Sequence, residues 1–218
     1  MLRIYGIVKS RAMRVLWLVE ELAVPYEWIA VDYRSGGTRQ PEFLAINPLG
    51  HIPAIDDDGL LLSESMAINL YLVRRHPQAE VSPKGLVEEG RCLNWTLFAV
   101  NELESSALAI LAHGKTLPPE RRDANRLGRA RGAVRPPLAV LEQALAGSNP
   151  LSAIRGQAQD WLLGDRFTVA DINVAAIVEW IRAQPDVFDE FPRVAGWLDR
   201  CHQRPAFARL RAMRRAES

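Results

Sequence analysis

Cysteine is scarce in this chain. Cys92 and Cys201 are the two among 218 residues, far apart and without metal-ligand spacing. That argues against a disulfide framework or a cysteine-rich metal site and points to reduced thiols. Lysine occurs only at positions 9, 84 and 115. Excess charge is lacking too: 27 basic residues face 26 acidic ones, a net +1, so no overall field favours nucleic acid. No apolar run reaches the length of a membrane span, and Met1-Leu2-Arg3-Ile4-Tyr5 is too short and polar for a signal peptide. The expectation is a soluble, cytoplasmic chain with neither a membrane nor a nucleic-acid partner. With 48% hydrophobic residues it can fill one large core or two smaller ones.

The apolar pattern has two regimes. Residues 2–5 read as a strand, 11–23 as a helix with Val15, Leu18, Val19 and Leu22 inward and Glu20 and Glu21 outward, and 26–31 as a second strand. After a loop at 35–38, residues 42–46 suit one helical turn. Residues 52–55 and 60–62 form a hairpin around Asp56-Asp57-Asp58-Gly59, and 65–75 form a helix ending before Pro77. No convincing strand follows. Helices are expected at 86–111, 121–146, 169–182, 193–203 and 206–214, with 148–159 extended. Pro136-Pro137 should restart or bend the second of these. The arrangement is an α+β, βαβ-ββα domain of thioredoxin-like type over 1–77, a linker over 78–85 and an all-α domain over 86–218.

Two segments carry the chemistry. Asn47-Pro48-Leu49-Gly50-His51-Ile52-Pro53 places a proline where a strand begins, and the preceding residue can offer its backbone to an extended peptide. Leu62-Ser63-Glu64-Ser65-Met66-Ala67-Ile68 places a carboxylate and a hydroxyl at a helix start, where unpaired N–H groups and the helix dipole attract a carboxylate. Together they suit a short acidic peptide such as glutathione. Thr168-Val169-Ala170-Asp171 is a capping box with Asp in place of Glu, opening an apolar helix. No metal site and no tightly bound cofactor are expected.

Both segments, together with Ser10-Arg11-Ala12-Met13-Arg14-Val15-Leu16-Trp17 and Leu163-Gly164-Asp165-Arg166-Phe167-Thr168-Val169-Ala170-Asp171-Ile172, give a chain that resembles the glutathione transferases over essentially its whole length. The N-terminal third is most similar to bacterial and fungal members whose first helix begins Ser-Arg. The resemblance implies a homodimer in which glutathione is the co-substrate and a small hydrophobic electrophile is the acceptor, with a role in detoxification.

It also implies roles for single residues. Ser10 would stabilise the glutathione thiolate, although a serine there can equally cap the helix. Tyr5 is the rival donor. No cysteine precedes Cys92, which disfavours branches that form a mixed disulfide through an N-terminal cysteine. Pro53 would be the family's cis-proline, Ile52 would pair with the cysteinyl backbone, and His51 would stand where the family places a residue reaching the glycyl carboxylate. Glu64 and Ser65 would hold the γ-glutamyl end. Arg39, Gln40, Arg11 and Arg14 read as solvated. Trp95, Phe98, Asn101 and His113 are candidates for the acceptor pocket, against the alternative that they are helix core. The implied activity is conjugation. A glutathione-dependent peroxidase, reductase or isomerase, or a non-catalytic binding module, are the alternatives.

Overall fold

The structure is a computed structural model that describes residues 1–217. It contains two compact units: Met1–Ser82 together with the segment from Gln203 onward, and Pro83–His202.

The first unit is built on a mixed four-stranded sheet of order β2-β1-β3-β4, with β1 Leu2–Tyr5, β2 Tyr26–Ile29, β3 Ala54–Asp57 and β4 Leu60–Ser63. β1 runs parallel to β2 and antiparallel to β3, and β3 is antiparallel to β4. This is the thioredoxin-like arrangement expected. β3 starts at Ala54 rather than Ile52, because Pro53, after a cis Ile52–Pro53 bond, has no N–H for the ladder. Alternation sends Ile4 into a wholly buried face and Tyr5 to the other, where its ring meets Phe43 of α2 (Pro41–Leu44) edge-on at 6.2 Å.

α1 (Ala12–Leu22) is buried from Ala12 through Val19, so it lacks the solvent face that its two glutamates suggested. It packs against α3 (Ser65–Arg75) and the terminal helix α9 (Pro205–Ala216). Trp17 lies against Phe207 with ring centroids 4.7 Å apart. Glu21, with 6% of its side chain exposed, accepts from Trp17 Nε1 at 3.2 Å and from Arg204 Nε and Nη2 at 2.7 and 2.8 Å. Glu20 accepts from Tyr26 Oη at 2.7 Å and pairs with Arg209. α9 thus belongs with the first unit rather than with the helical stretch 86–218, because α1 offers it both an aromatic face and two carboxylates.

The second unit is helical throughout, as expected. The predicted helix 86–111 is α4 (Gly85–Phe98) and α5 (Ser105–Leu111), joined by a π-helical segment over Ala99–Glu104. α6 (Ala124–Leu145) continues through Pro136 and Pro137 without the restart that the proline pair predicts. Packing overrides propensity here. Val134, Pro137, Leu138 and Leu141 are buried, and Arg131 and Arg135, in the turn ahead of the prolines, hold Gln184, Asp186 and Glu190. Residues 148–159 fold as irregular turns that return Gln159 to Ala144 and Leu145, not as an extended connection. α7 (Val169–Val178), α8 (Pro192–Gln203) and short 3-10 turns complete the unit.

Asp171 is the polar centre of this unit. It is fully buried and completes the capping box with Thr168. Its carboxylate accepts from Leu162 N (2.9 Å), Thr168 N (2.8 Å), Thr168 Oγ1 (3.2 Å) and Trp197 Nε1 (2.9 Å). It therefore ties the preceding loop and α8 to the start of α7. Burial raises the carboxyl above the ordinary aspartate range, and the donated bonds oppose that rise. Asp171→Ala would strand several buried donors, so stability should fall by roughly 3–5 kcal/mol, at about 1–3 kcal/mol per orphaned group less relaxation. Denaturant unfolding checks the loss. An unchanged midpoint with activity gone would instead make Asp171 a chemical residue.

Candidate functional site

The strand register decides which loops meet. Tyr5, the last residue of β1, pairs with Ala54, the first of β3, and Ala54 pairs with Ser63, the last of β4. The β1–α1 loop, the Ile52–Pro53 bond and the Glu64-Ser65 pair therefore emerge at one edge of the sheet. Gly6 lets the first loop lie close, since a Cβ on it would come 2.7 Å from that of Ala12 and 3.3 Å from that of Ile52. Among the described residues, none hydrogen-bonds the N–H or C=O of Ile52. That leaves an unpaired backbone segment of the kind an extended peptide adds to.

Glu64 and Ser65 begin α3. Glu64 holds a left-handed φ of 67°, an uncommon conformation for a glutamate, and its side chain is exposed. No side chain caps α3, so its first N–H groups stay open to an anion. Ser65 Oγ accepts from Arg14 Nη1 at 3.2 Å. With its acceptor side engaged, the hydroxyl keeps its one proton for an incoming oxygen. Arg14 is 2% exposed, not solvated, and Asn69 Nδ2 donates to its carbonyl at 3.3 Å. The signal for it was present: Arg14, Leu18 and Leu22 fall four residues apart on the apolar stripe of α1. Arg11 is exposed, as expected.

Ser10 is half-buried. Its Oγ donates to Ile7 O at 2.7 Å and accepts from Ala12 N at 3.0 Å, one residue ahead of the N-cap position Arg11. Tyr5 instead lines a cleft of about 380 Å³ with Ile29, Val31, Gln40 and Phe43. His51 is exposed, its carbonyl held by Asn47 Nδ2 at 2.7 Å. Arg39 is exposed, as expected, and donates to Leu49 O at 3.3 Å, in the same loop as His51. Gln40 is exposed.

Within the second unit, Trp95 is 1% exposed and packs edge-on against half-buried Phe98 with centroids 5.3 Å apart, so Trp95 is core. Asn101 is exposed on the π-helical segment. His113 is half-buried and accepts from Asp123 N at 3.1 Å through Nδ1. Cys92 and Cys201 are buried and outside any disulfide, and burial, with Asp171 nearby, pushes the Cys92 thiol up to about 12. Among the described residues no His, Cys, Asp and Glu side chains cluster as metal ligands, and no helix is long and apolar enough to cross a membrane.

Known proteins share this organisation. Residues 1–74 match the family model "Glutathione S-transferase, N-terminal domain", and residues 119–200 match "Glutathione S-transferase, C-terminal domain". The chain is 30% identical to Protein URE2 of Candida albicans over 90% of its own length and 65% of that protein, so it spans a little under two thirds of that relative. It is 27% identical to the probable glutathione S-transferase GSTF1 of Oryza sativa subsp. japonica, over 97% of this chain and 95% of that one. Among solved structures, the glutathione transferase URE2P6 from Phanerochaete chrysosporium, in complex with oxidised glutathione, superposes with a TM-score of 0.82 at 27% identity, covering 100% of this chain and 97% of that one. With family models matched over residues 1–74 and 119–200, the chain belongs to the glutathione S-transferase family.

Proposed function

We propose that this chain binds glutathione at the sheet edge described above and transfers its thiol to small hydrophobic electrophiles. The observation that carries the reading is the convergence of three groups at that edge: the unpaired Ile52 backbone, the uncapped start of α3, and a Ser65 hydroxyl backed by the buried Arg14 guanidinium. Ile52 would pair with the cysteinyl residue. Ser65 and the first N–H groups of α3 would take the γ-glutamyl carboxylate, and the exposed Glu64 would face its ammonium. His51, joined by Arg39, would meet the glycyl carboxylate.

The thiol lies naturally toward the β1–α1 loop. There Ser10 would turn its proton from Ile7 O to the sulfur, exchanging a neutral bond for a charge-assisted one. The thiolate then forms a carbon–sulfur bond to the electrophile. A leaving group departs with the displaced electron pair, or the adduct takes up a proton. Holding both reactants together supplies much of the acceleration. Phe98, Asn101 and His113 retain exposed surface for an acceptor, and Trp95 does not. A cytoplasmic homodimer without a tightly bound cofactor completes the proposal.

A second reading is favoured by the oxidised glutathione held by the fungal neighbour. In it, a glutathionyl disulfide R–S–SG would be attacked by bound glutathione thiolate, giving GSSG and the thiolate RS⁻. Cys92, buried and with a raised pKa, is unsuited to replace that second glutathione. A panel of electrophiles, peroxides and mixed disulfides, assayed with and without glutathione, decides between the readings. Failure of glutathione to bind at all would leave a non-catalytic module.

Ser65→Ala should weaken glutathione binding by about 1–3 kcal/mol, through loss of a donor to a charged oxygen in a partly desolvated site. Calorimetry returning the parental Kd would remove Ser65 from the site.

Ser10→Ala should raise the thiol pKa of bound glutathione by about one unit, the smaller end of what one charge-assisted bond allows, because the parent gives up the Ile7 bond to make it. Tyr5→Phe, whose ring lies against Phe43, should shift it less. Thiolate ultraviolet absorbance against pH is the measurement. A shift in Tyr5→Phe alone reverses the assignment, and none in either variant leaves activation to the backbone N–H groups of the loop and helix.

A further inference from the structure

The β1–α1 loop is held by a residue 208 positions away from it. Glu217, just beyond α9, accepts from Val8 N at 2.5 Å through Oε1 and from Lys9 N at 3.2 Å through Oε2. One carboxylate thus bridges two successive backbone N–H groups, as an anion sits in a backbone nest. Other parts of the loop are already tied. Gly6 N donates to Ile29 O at 3.0 Å, Trp28 Nε1 donates to Gly6 O at 2.8 Å, and Ser10 closes on Ile7 O. Val8 and Lys9 lie between these ties, immediately before Ser10.

The carboxylate does not reach the loop on a loose strand. Three contacts seat α9 on α1: the bidentate Arg204–Glu21 pair, the Arg209–Glu20 pair and the Trp17 and Phe207 rings, packed at a tilt. α9 therefore delivers Glu217 from a fixed direction, and the loop is clamped between β2 on one side and the end of α9 on the other.

We propose that Glu217 is a positioning residue: its carboxylate fixes the Val8-Lys9 backbone and thereby sets where the Ser10 hydroxyl stands. This rests on the reading of Ser10 as the donor to the glutathione thiolate. Glu217 itself touches neither ligand nor sulfur. The clamp acts on turnover through the geometry of the loop, while Ile52 and Ser65, which hold the peptide, lie on other segments. Its loss falls on kcat more than on KM.

The test uses the full-length chain with Glu217→Ala and Glu217→Gln. In the free protein, Glu217→Ala should speed amide exchange at Val8 and Lys9 by roughly ten- to a hundredfold, as expected for loss of charge-assisted bonds. It should lower kcat and raise the thiol pKa of bound glutathione, with KM for glutathione within about twofold of the parent. Glu217→Gln keeps a carbonyl acceptor and should recover most of the kcat and part of the protection. Unchanged exchange in Glu217→Ala overturns the clamp. Faster exchange with parental kcat and thiol pKa overturns its role in positioning Ser10, and so does a rise in activity, which would make the tail an obstacle. A parent that binds no glutathione defeats the functional reading instead, and amide exchange alone then decides the clamp.

Discussion

The site depends on strand register more than on any single side chain. β1 ends, β3 begins and β4 ends at the same level of the sheet, because Tyr5, Ala54 and Ser63 are successive partners across three strands. A slip of one residue in either antiparallel pair would invert every side chain on the slipped strand and carry Ile52 or Ser65 away from the β1–α1 loop. The pairing is secured from within: Ile4 and Ile55 are partners in the ladder and both are wholly buried. Pro53 stops the ladder at that level, and what lies beyond it is backbone left for another peptide. The hydrophobic face that stabilises the fold thereby also places the loops that bind.

Buried charge is the second organising element. Arg14, Glu21 and Asp171 are almost or entirely enclosed, and removing such groups from water is costly unless partners meet them. Each has been given them. Asp171 collects donors from two segments and its own cap, Glu21 joins Trp17 to Arg204, and Arg14 reaches Ser65. Their value is positional. An apolar residue could fill the same volume, but it could not require one particular loop, helix end or hydroxyl to stand opposite.

The start of α3 and the β1–α1 loop show different preparation for a ligand. At α3, the left-handed Glu64 and the absence of a cap leave donors open before anything binds. At the loop, the Ser10 proton is already engaged with Ile7, and an incoming sulfur must compete for it. The first is a helix start left uncapped, with its strained backbone already set in folding. The second is a hydroxyl held in a local bond until a stronger acceptor arrives.

Local sequence was enough for the order of elements. Hydrophobic spacing, the Asp-Gly turn, the capping box at Thr168 and the proline ahead of β3 act over a few residues, and the βαβ-ββα unit, the helical region after it and the start of α7 follow from them. The motif segments at 47–53 and 62–68 are likewise local, and the strand register brings them to one end of the sheet. What they left open depends on groups distant in the chain. Arg14 falls on the apolar stripe of α1, but its partner is open until α3 brings Ser65 to it, 51 positions on. Glu20 and Glu21 read as solvated until α9 returns with Arg204 and Arg209. α6 continues as one helix through Pro136-Pro137 because burial and arginine pairs outweigh two lost hydrogen bonds. Local propensity and periodicity determine what each segment becomes. Which charge meets which partner is decided only by tertiary packing, because desolvation makes an enclosed charge depend on whatever the fold sets against it.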